Sequence, residues 1–225
     1  LSDVMHVVGV GKPAVAAWTG RDSLANSIVR AVEWNQQHAN ASITAAPSSV
    51  AWCARHFVGD EPFAVLLPDE LLVSQPGCLQ SMADAYATTG GCMLAVREVP
   101  REETQRYGII DPGSEAGNLI SVRGIVEKPE PDQAPSRLAV IGRYILPPEV
   151  FVELERHEKG AGGEIQLTDA LARLIGHTPF HGFRCNGQRY DCGDKVGFLE
   201  ANLAVGLSRP DTAGPLRKII KALSL

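Results

Sequence analysis

No apolar run in the chain approaches the 18 or more residues that a membrane-spanning helix needs, and no basic stretch followed by a signal-like apolar core opens it. No membrane is therefore expected as a partner, and the protein is expected in the cytoplasm. Lys and Arg never gather into a block, and the formal net charge is -5. That removes the electrostatic footprint of a nucleic-acid binder or of a protein held on an anionic surface. A phosphate ligand would then have to meet positive charge supplied locally. Cysteine is sparse: Cys53, Cys78, Cys92, Cys185 and Cys192 contain no C-x-x-C pair, and their odd number argues against a complete disulfide framework. Buried or half-buried thiols are expected instead. Internal repeats and low-complexity tracts are absent as well. A chain of 225 residues with 44% hydrophobic composition suffices for one sizeable core and not for two.

What is present reads as alternating strands and helices. Val4 to Val8 has the form of a short buried strand, followed by a loop from Gly9 to Pro13. A helix is expected from Asp22, with Leu24, Ile28, Ala31 and Val32 at helical spacing. Residues 35 to 50 carry no usable period. Phe63 to Leu67 is a continuous apolar run ending in Pro68-Asp69, as a parallel strand buried on both faces would be. A helix over residues 77 to 88 and a second apolar run, Cys92 to Val96, complete a strand, helix, strand unit. Three more strands are expected at Tyr107 to Gly113, Val122 to Val126 and Ala139 to Leu146, which makes the sheet mixed. Helices are expected from Pro148 to His157 and from Gln166 to Ile175, the second with Leu167, Leu171, Leu174 and Ile175 on one face. Strand and turn from Phe180 to Tyr190 lead to Asp191, and a helix from about Lys195 to Leu207 follows. The expected division is one domain over 1–207, then 208–225 as a linker marked by Pro210 and Gly214 and an amphipathic helix with Leu216, Ile219, Ile220 and Leu223 on its apolar stripe.

Gly9-Val10-Gly11-Lys12-Pro13-Ala14 satisfies the loose dinucleotide pattern G-x-G-x-x-A, yet the acidic residue that should close a second strand, Glu33, falls inside a helical pattern. Pro13 also removes a backbone N–H from the turn that would face a phosphate. The segment reads as an ordinary loop. More informative are Asp69 and Asp191, each at the end of an expected strand. In an open α/β sheet those ends line the ligand crevice, so the two carboxylates either converge on one hard cation or cap the turns that follow them. In Val126-Glu127-Lys128-Pro129 an acid and a base are neighbours. Both reach one ligand only if the chain turns there, because neighbours on a strand point to opposite faces. Glu127 would then accept hydrogen bonds from sugar hydroxyls and Lys128 would neutralise a phosphate, the alternative being an exposed edge pair.

Taken in order, Gly59-Asp60-Glu61-Pro62-Phe63-Ala64-Val65-Leu66-Leu67-Pro68-Asp69, Tyr107-Gly108, Val126-Glu127-Lys128-Pro129, Gly142-Arg143-Tyr144, Gly163-Glu164-Ile165-Gln166-Leu167-Thr168-Asp169-Ala170 and Asp191-Cys192-Gly193 closely resemble the bacterial UTP–glucose-1-phosphate uridylyltransferases, also called UDP-glucose pyrophosphorylases, over roughly residues 50 to 206. The resemblance implies a nucleotide-diphospho-sugar transferase fold, an α/β Rossmann-like mixed sheet flanked by helices, here N-terminally truncated. It also implies formation of UDP-glucose and pyrophosphate from UTP and glucose 1-phosphate by in-line attack, with catalysis by positioning and charge stabilisation. By the same resemblance Asp69 and Asp191 would hold Mg²⁺, Glu127 the glucose hydroxyls and Lys128 the phosphate. Gly108 and Gly142 would be the points where backbone comes close to the sugar, and Lys195 a second phosphate contact, the alternative being a surface lysine at a helix start. A homo-oligomer is the family expectation.

The departures are equally specific. The family's G-x-G-T-R loop and K-x-x-P-K-E segment, which hold the triphosphate, appear nowhere in the chain. Ala45-Ala46-Pro47-Ser48-Ser49 stands where a uracil-contacting Gln and G-x-G-H-A are expected. The chain also opens at Leu1, directly before a strand-like run, which raises the expectation of a missing upstream segment. Two readings follow: a uridylyltransferase that is inactive as the isolated chain, or a non-catalytic homologue that binds UDP-glucose or a sugar phosphate and associates with an active paralogue.

Overall fold

The computed structural model describes residues 55, 58–156 and 167–223. The strand expected at Val4 to Val8, the loop from Gly9 to Pro13, the helix from Asp22, the altered Ala45 to Ser49 stretch and the Gly163 to Gln166 motif lie outside the described residues. In chain order the elements are β1 (Phe63–Leu66), β2 (Glu70–Val73), α1 (Cys78–Thr89), β3 (Cys92–Glu98), a 3₁₀ segment (Arg101–Arg106), β4 (Gly108–Ala116), β5 (Leu119–Glu127), β6 (Leu138–Leu146), α2 (Val150–Glu155), α3 (Leu167–Leu174), β7 (Phe180–Arg184), β8 (Gln188–Asp191), α4 (Lys195–Ser208) and α5 (Pro210–Leu223).

The side-chain alternation of β3 shows how the layers form. Cys92, Leu94 and Val96 face a core that also holds Val150, Phe151 and Leu154 of α2 and Leu167, Ala170, Leu171 and Leu174 of α3. Met93 and Ala95 face a second core with Met82 of α1, Ile141, Ile145 and Phe183. A strand covered on both sides in this way has no polar face to show, which is why the run reads as continuously apolar. Phe63 and Phe151 stack with centroids 4.8 Å apart and tie β1 to α2.

Six strands form one sheet in the order β1-β6-β3-β7-β5-β4, and β2 pairs with β8 in a separate ribbon. Only β3 and β7 pair in parallel; the remaining described pairings are antiparallel, so the sheet is mixed as expected. The expectation for β1 needs correction, because its described partner, β6, runs antiparallel to it. Both β1 and β3 oppose β6, so they run parallel to each other with β6 between them. The strand, helix, strand unit thus exists, but it spans an intervening strand.

Two further expectations change. Cys78, at the start of α1, and Cys185, just past β7, lie with Cα atoms 5.6 Å apart and are bonded as a disulfide, not free thiols. Residues a hundred positions apart cannot announce such proximity in sequence. The stretch from Pro210 to Gly214 is not a linker but the opening of α5. Proline needs no N–H there, so the residue that looked like a break is compatible with a helix start. No helix among the described residues is long and apolar enough to cross a membrane.

Candidate functional site

Asp69 follows Pro68 in the turn between β1 and β2, and Asp191 is the last residue of β8. The ribbon brings them together: Glu70 is the register partner of Asp191, and the Cys192 N–H donates to the Asp69 carbonyl at 2.7 Å. Gly193 completes the arrangement. A Cβ placed on it would stand 3.2 Å from both Asp191 Oδ1 and Asp69 Oδ2, so the two carboxylates flank one gap that glycine leaves open. Asp69 is exposed, and its carboxylate accepts no hydrogen bond among the described residues. Asp191 Oδ1 accepts from the Gly193 N–H at 3.1 Å, and so it braces its own turn. The helix cap after it is a different residue, Asp194, which accepts from the Val196 and Gly197 N–H groups at 2.9 Å each. Among the described residues no group of three His, Cys, Asp or Glu converges on a point. Asp69 and Asp191 are the two carboxylates that border the gap, and carboxylate oxygens are the donors that hard divalent cations take.

Glu127 and Lys128 do turn together. Lys128 has a φ of 46°, a left-handed conformation uncommon outside glycine. Its N–H donates to the Tyr107 carbonyl at 2.9 Å, which fixes the turn at the end of β5. The exposed ammonium then comes back to within 3.8 Å of Glu127 Oε1. The other carboxylate oxygen accepts from Thr168 Oγ1 at 2.6 Å. Gly108 sits opposite Glu127 across β4 and β5, and a Cβ on it would meet Glu127 Oε2 and Thr168 Oγ1, each at 3.2 Å. Gly108, Glu127, Lys128 and Thr168 thus form one cluster, with a carboxylate held from two sides.

Three arginines order the ground around the aspartates. Arg143 donates to the carbonyls of Leu67 and Gly142 at 3.0 Å each and also to that of Glu70, clamping the turn that carries Asp69. Gly142, with a φ of 63°, lies where the register of β6 shifts, and a Cβ there would stand 2.8 Å from Glu70 Cγ and 3.1 Å from Leu67 Cβ. Its task within the protein is to let that turn come close. Arg189 forms a half-buried fork with Glu70, Nε to Oε2 at 2.6 Å. Burial pushes the Glu70 carboxyl up against the lowering effect of Arg189, and the charges of Asp191 and Asp69 add to the rise. For Arg189 burial opposes the charge, but the hydrogen bond and charge of Glu70, with Tyr107, outweigh it and raise its pKa. Arg106 is the third, its Nη2 2.9 Å from Asp191 Oδ2. The two clusters are linked through Arg106 and Tyr107: the Tyr107 carbonyl accepts from Lys128, its ring lies 5.2 Å from the Arg189 guanidinium carbon, and Arg106 reaches Asp191.

Lys195 is the first residue of α4, exposed and with no ion pair among the described residues. It lines a groove of about 370 Å³ with Cys192, Gly193, Asp194, Phe198 and Leu199. Asp69 and Asp191 are thus brought together, Gly108 joins Glu127 and Lys128, Gly142 backs the Asp69 turn, and Lys195 borders the same Asp191 to Gly193 loop. Sequence reasoning assigned no role to Glu70, Arg106, Arg143, Thr168 or Arg189. Four of them adjoin residues singled out there: Glu70 follows Asp69, Arg106 precedes Tyr107-Gly108, Arg143 follows Gly142, and Thr168 lies inside a quoted motif. Their reach across the fold has no local signal.

Residues 22–206 match the Nucleotidyl transferase family, which extends the resemblance upstream of residue 50. The chain is 54% identical over 153 residues to a UTP–glucose-1-phosphate uridylyltransferase of Komagataeibacter xylinus, covering 68% of this chain and 54% of that protein. It is 43% identical over 172 residues to the enzyme of the same name from Bacillus subtilis strain 168, covering 76% and 59%. Among solved structures it is similar to a UDP-glucose pyrophosphorylase complexed with UDP-glucose, with a TM-score of 0.70 and 36% identity over 73% of this chain and 63% of that one. It is also similar to a UTP-bound UGPase from Acinetobacter baumannii, with a TM-score of 0.69 and 37% identity over 79% and 62%. The chain thus spans 54% to 63% of the length of these relatives.

Proposed function

The chain belongs to the nucleotidyl transferase family, and on that premise we propose that it is a UTP–glucose-1-phosphate uridylyltransferase-like protein that holds the sugar and metal side of the site and does not turn over as the 225-residue chain. The observation that carries the reading is the gap at Gly193, with Asp69 and Asp191 on its two sides and the Glu127, Lys128 and Gly108 cluster tied to it through Tyr107 and Arg106. Asp69 and Asp191 would hold Mg²⁺. The ion supplies positive charge that offsets the negative charge of phosphate oxygens. Glu127, fixed by Thr168, accepts hydrogen bonds from glucose hydroxyls, and Gly108 lets the sugar approach without a side chain in the way. Lys128 neutralises the sugar phosphate, Lys195 is a further phosphate contact, and Gly142 faces the sugar with its backbone. Glucose 1-phosphate and UDP-glucose are the ligands this set suits. We place the protein in the cytoplasm as a homo-oligomer, with one domain over 1–207.

Transfer needs more than this. In-line attack at the α-phosphorus builds charge toward the leaving pyrophosphate, and the G-x-G-T-R and K-x-x-P-K-E segments that would stabilise it are absent from the sequence. Losing one such donor typically lowers the rate by about 10² to 10³, so losing the loop, its Arg and its Lys together leaves almost nothing. A pyrophosphate-release assay on the purified chain with UTP, glucose 1-phosphate and Mg²⁺ is expected to stay at background. An Asp69→Asn variant controls for a contaminating host enzyme. Robust turnover that disappears in the variant would show that another segment has taken over the triphosphate cradle.

A further inference from the structure

Asp191 is claimed by two guanidinium groups of different freedom. Arg189 Nη2 lies 3.9 Å from Asp191 Oδ2, but that side chain is only 13% exposed and its fork is committed to Glu70. Arg106 Nη2 lies closer, at 2.9 Å, with a side chain 53% exposed. It ends the 3₁₀ segment Arg101–Arg106, its guanidinium carbon lies 5.7 Å from the Tyr107 ring, and its charge is also felt by the exposed carboxylate of Asp194. An ion pair this open to water is weak and breaks readily. Arg106 holds Asp191 by Oδ2, while the other oxygen of the same carboxylate, Oδ1, faces the Gly193 gap, so the guanidinium and a cation in the gap would share one negative charge from its two sides.

We propose that Arg106 is a phosphate-binding arm that rests on Asp191 while the site is empty and moves to a ligand phosphate when a divalent cation takes the aspartate. The inference rests on the functional reading above and deepens it. With Asp69 Oδ2 and Asp191 Oδ1 committed to a cation, Asp191 would have less charge left to hold the guanidinium at Oδ2, and Arg106 would be free to reach phosphate oxygens brought in beside it. The planar fork of arginine matches phosphate geometry better than it matches one shared carboxylate oxygen. In a chain of net charge -5 without a basic patch, Arg106 together with Lys128 and Lys195 supplies the local positive charge that a nucleoside diphosphate sugar requires. By linkage, the cation and the phosphate ligand then strengthen each other's binding through Arg106.

The test titrates the chain with Mn²⁺, read by its electron paramagnetic resonance signal, and with UDP-glucose by calorimetry, in the unsubstituted protein and in Arg106→Gln, Arg106→Lys and Arg101→Gln. Without nucleotide sugar, Arg106→Gln is expected to bind Mn²⁺ about threefold tighter, because a competitor has gone. With Mn²⁺ present, it is expected to bind UDP-glucose about tenfold more weakly. Arg106→Lys restores the competition and part of the ligand affinity, and Arg101→Gln, on the same exposed segment, changes neither. Weaker Mn²⁺ binding by Arg106→Gln in the absence of ligand, or unaltered UDP-glucose affinity, would overturn the inference alone. Failure of the unsubstituted chain to bind either probe would overturn the functional reading together with it.

Discussion

Glu70 shows how one side chain ties stability to the site. It stands beside Asp69, its backbone carbonyl accepts from Arg143, its carboxylate is gripped by Arg189, and its stem fills the space that Gly142 leaves. Burial raises its pKa above the ordinary 4.5. The folded state therefore holds this proton more tightly than the unfolded chain, so the group's contribution to stability is complete below the ordinary value and is lost as pH rises through the folded value. Urea melts of the native chain and Glu70→Gln across pH 4 to 8 should differ by a term that declines with rising pH over that window. A difference that is flat, or that grows with pH, would contradict the assignment. Gly142→Ala tests the neighbouring contact. A side chain at a φ of 63° and 2.8 Å from Glu70 Cγ should destabilise by about 2 kcal/mol and weaken Mn²⁺ binding by shifting the Asp69 turn. Unchanged melting and unchanged affinity would remove the structural role given to this glycine.

The β2 and β8 ribbon was only half legible: strand leading to Asp191 is expected from the sequence, but β2 and its pairing with β8 are not. Four residues, Glu70–Val73, directly after Pro68-Asp69 have too little length for a period, and their partners lie at Gln188–Asp191. Pairing at that separation leaves no trace in local pattern. By contrast β3, β6 and α3 announced themselves, since a strand covered on both faces and a helix with one apolar stripe each have a local signature. Asp69 and Asp191 were recognisable as candidates from chemistry and position, but their convergence depends on the ribbon and on the seat of α4. That seat is tight: a Cβ on Gly197 would stand 2.1 Å from the Asp191 carbonyl oxygen. Gly197→Ala should leave α4 helical, because alanine is the better helix former. Displacing Asp191 should still lower Mn²⁺ affinity about tenfold or more. Circular dichroism with Mn²⁺ titration checks both halves, and native affinity in a well-folded variant would mean that Asp191 is not a ligand.

At the scale of the molecule, the sheet separates a scaffold from a working edge. The two cores beneath α1 and beneath α2 and α3 hold β3 and β6 rigidly. At the working edge the Asp69 turn and the loop after Asp191 meet through the β2 and β8 ribbon, and the Lys128 turn is pinned to the Tyr107 carbonyl. The order of motifs along the chain was enough to recognise the family, because spacing between motifs survives in sequence. The arginine clamps were not recognisable, because they depend on which turns the fold makes adjacent. The 225 residues keep the groups proposed for sugar and metal recognition and carry neither the G-x-G-T-R nor the K-x-x-P-K-E segment, so they should favour UDP-glucose over UTP. Calorimetric titration of the chain with glucose 1-phosphate, UDP-glucose and UTP, each with Mg²⁺, tests it most directly. UDP-glucose should bind in a manner that needs Asp69 and Glu127, and UTP alone more weakly. Binding of UTP tighter than UDP-glucose would contradict the account.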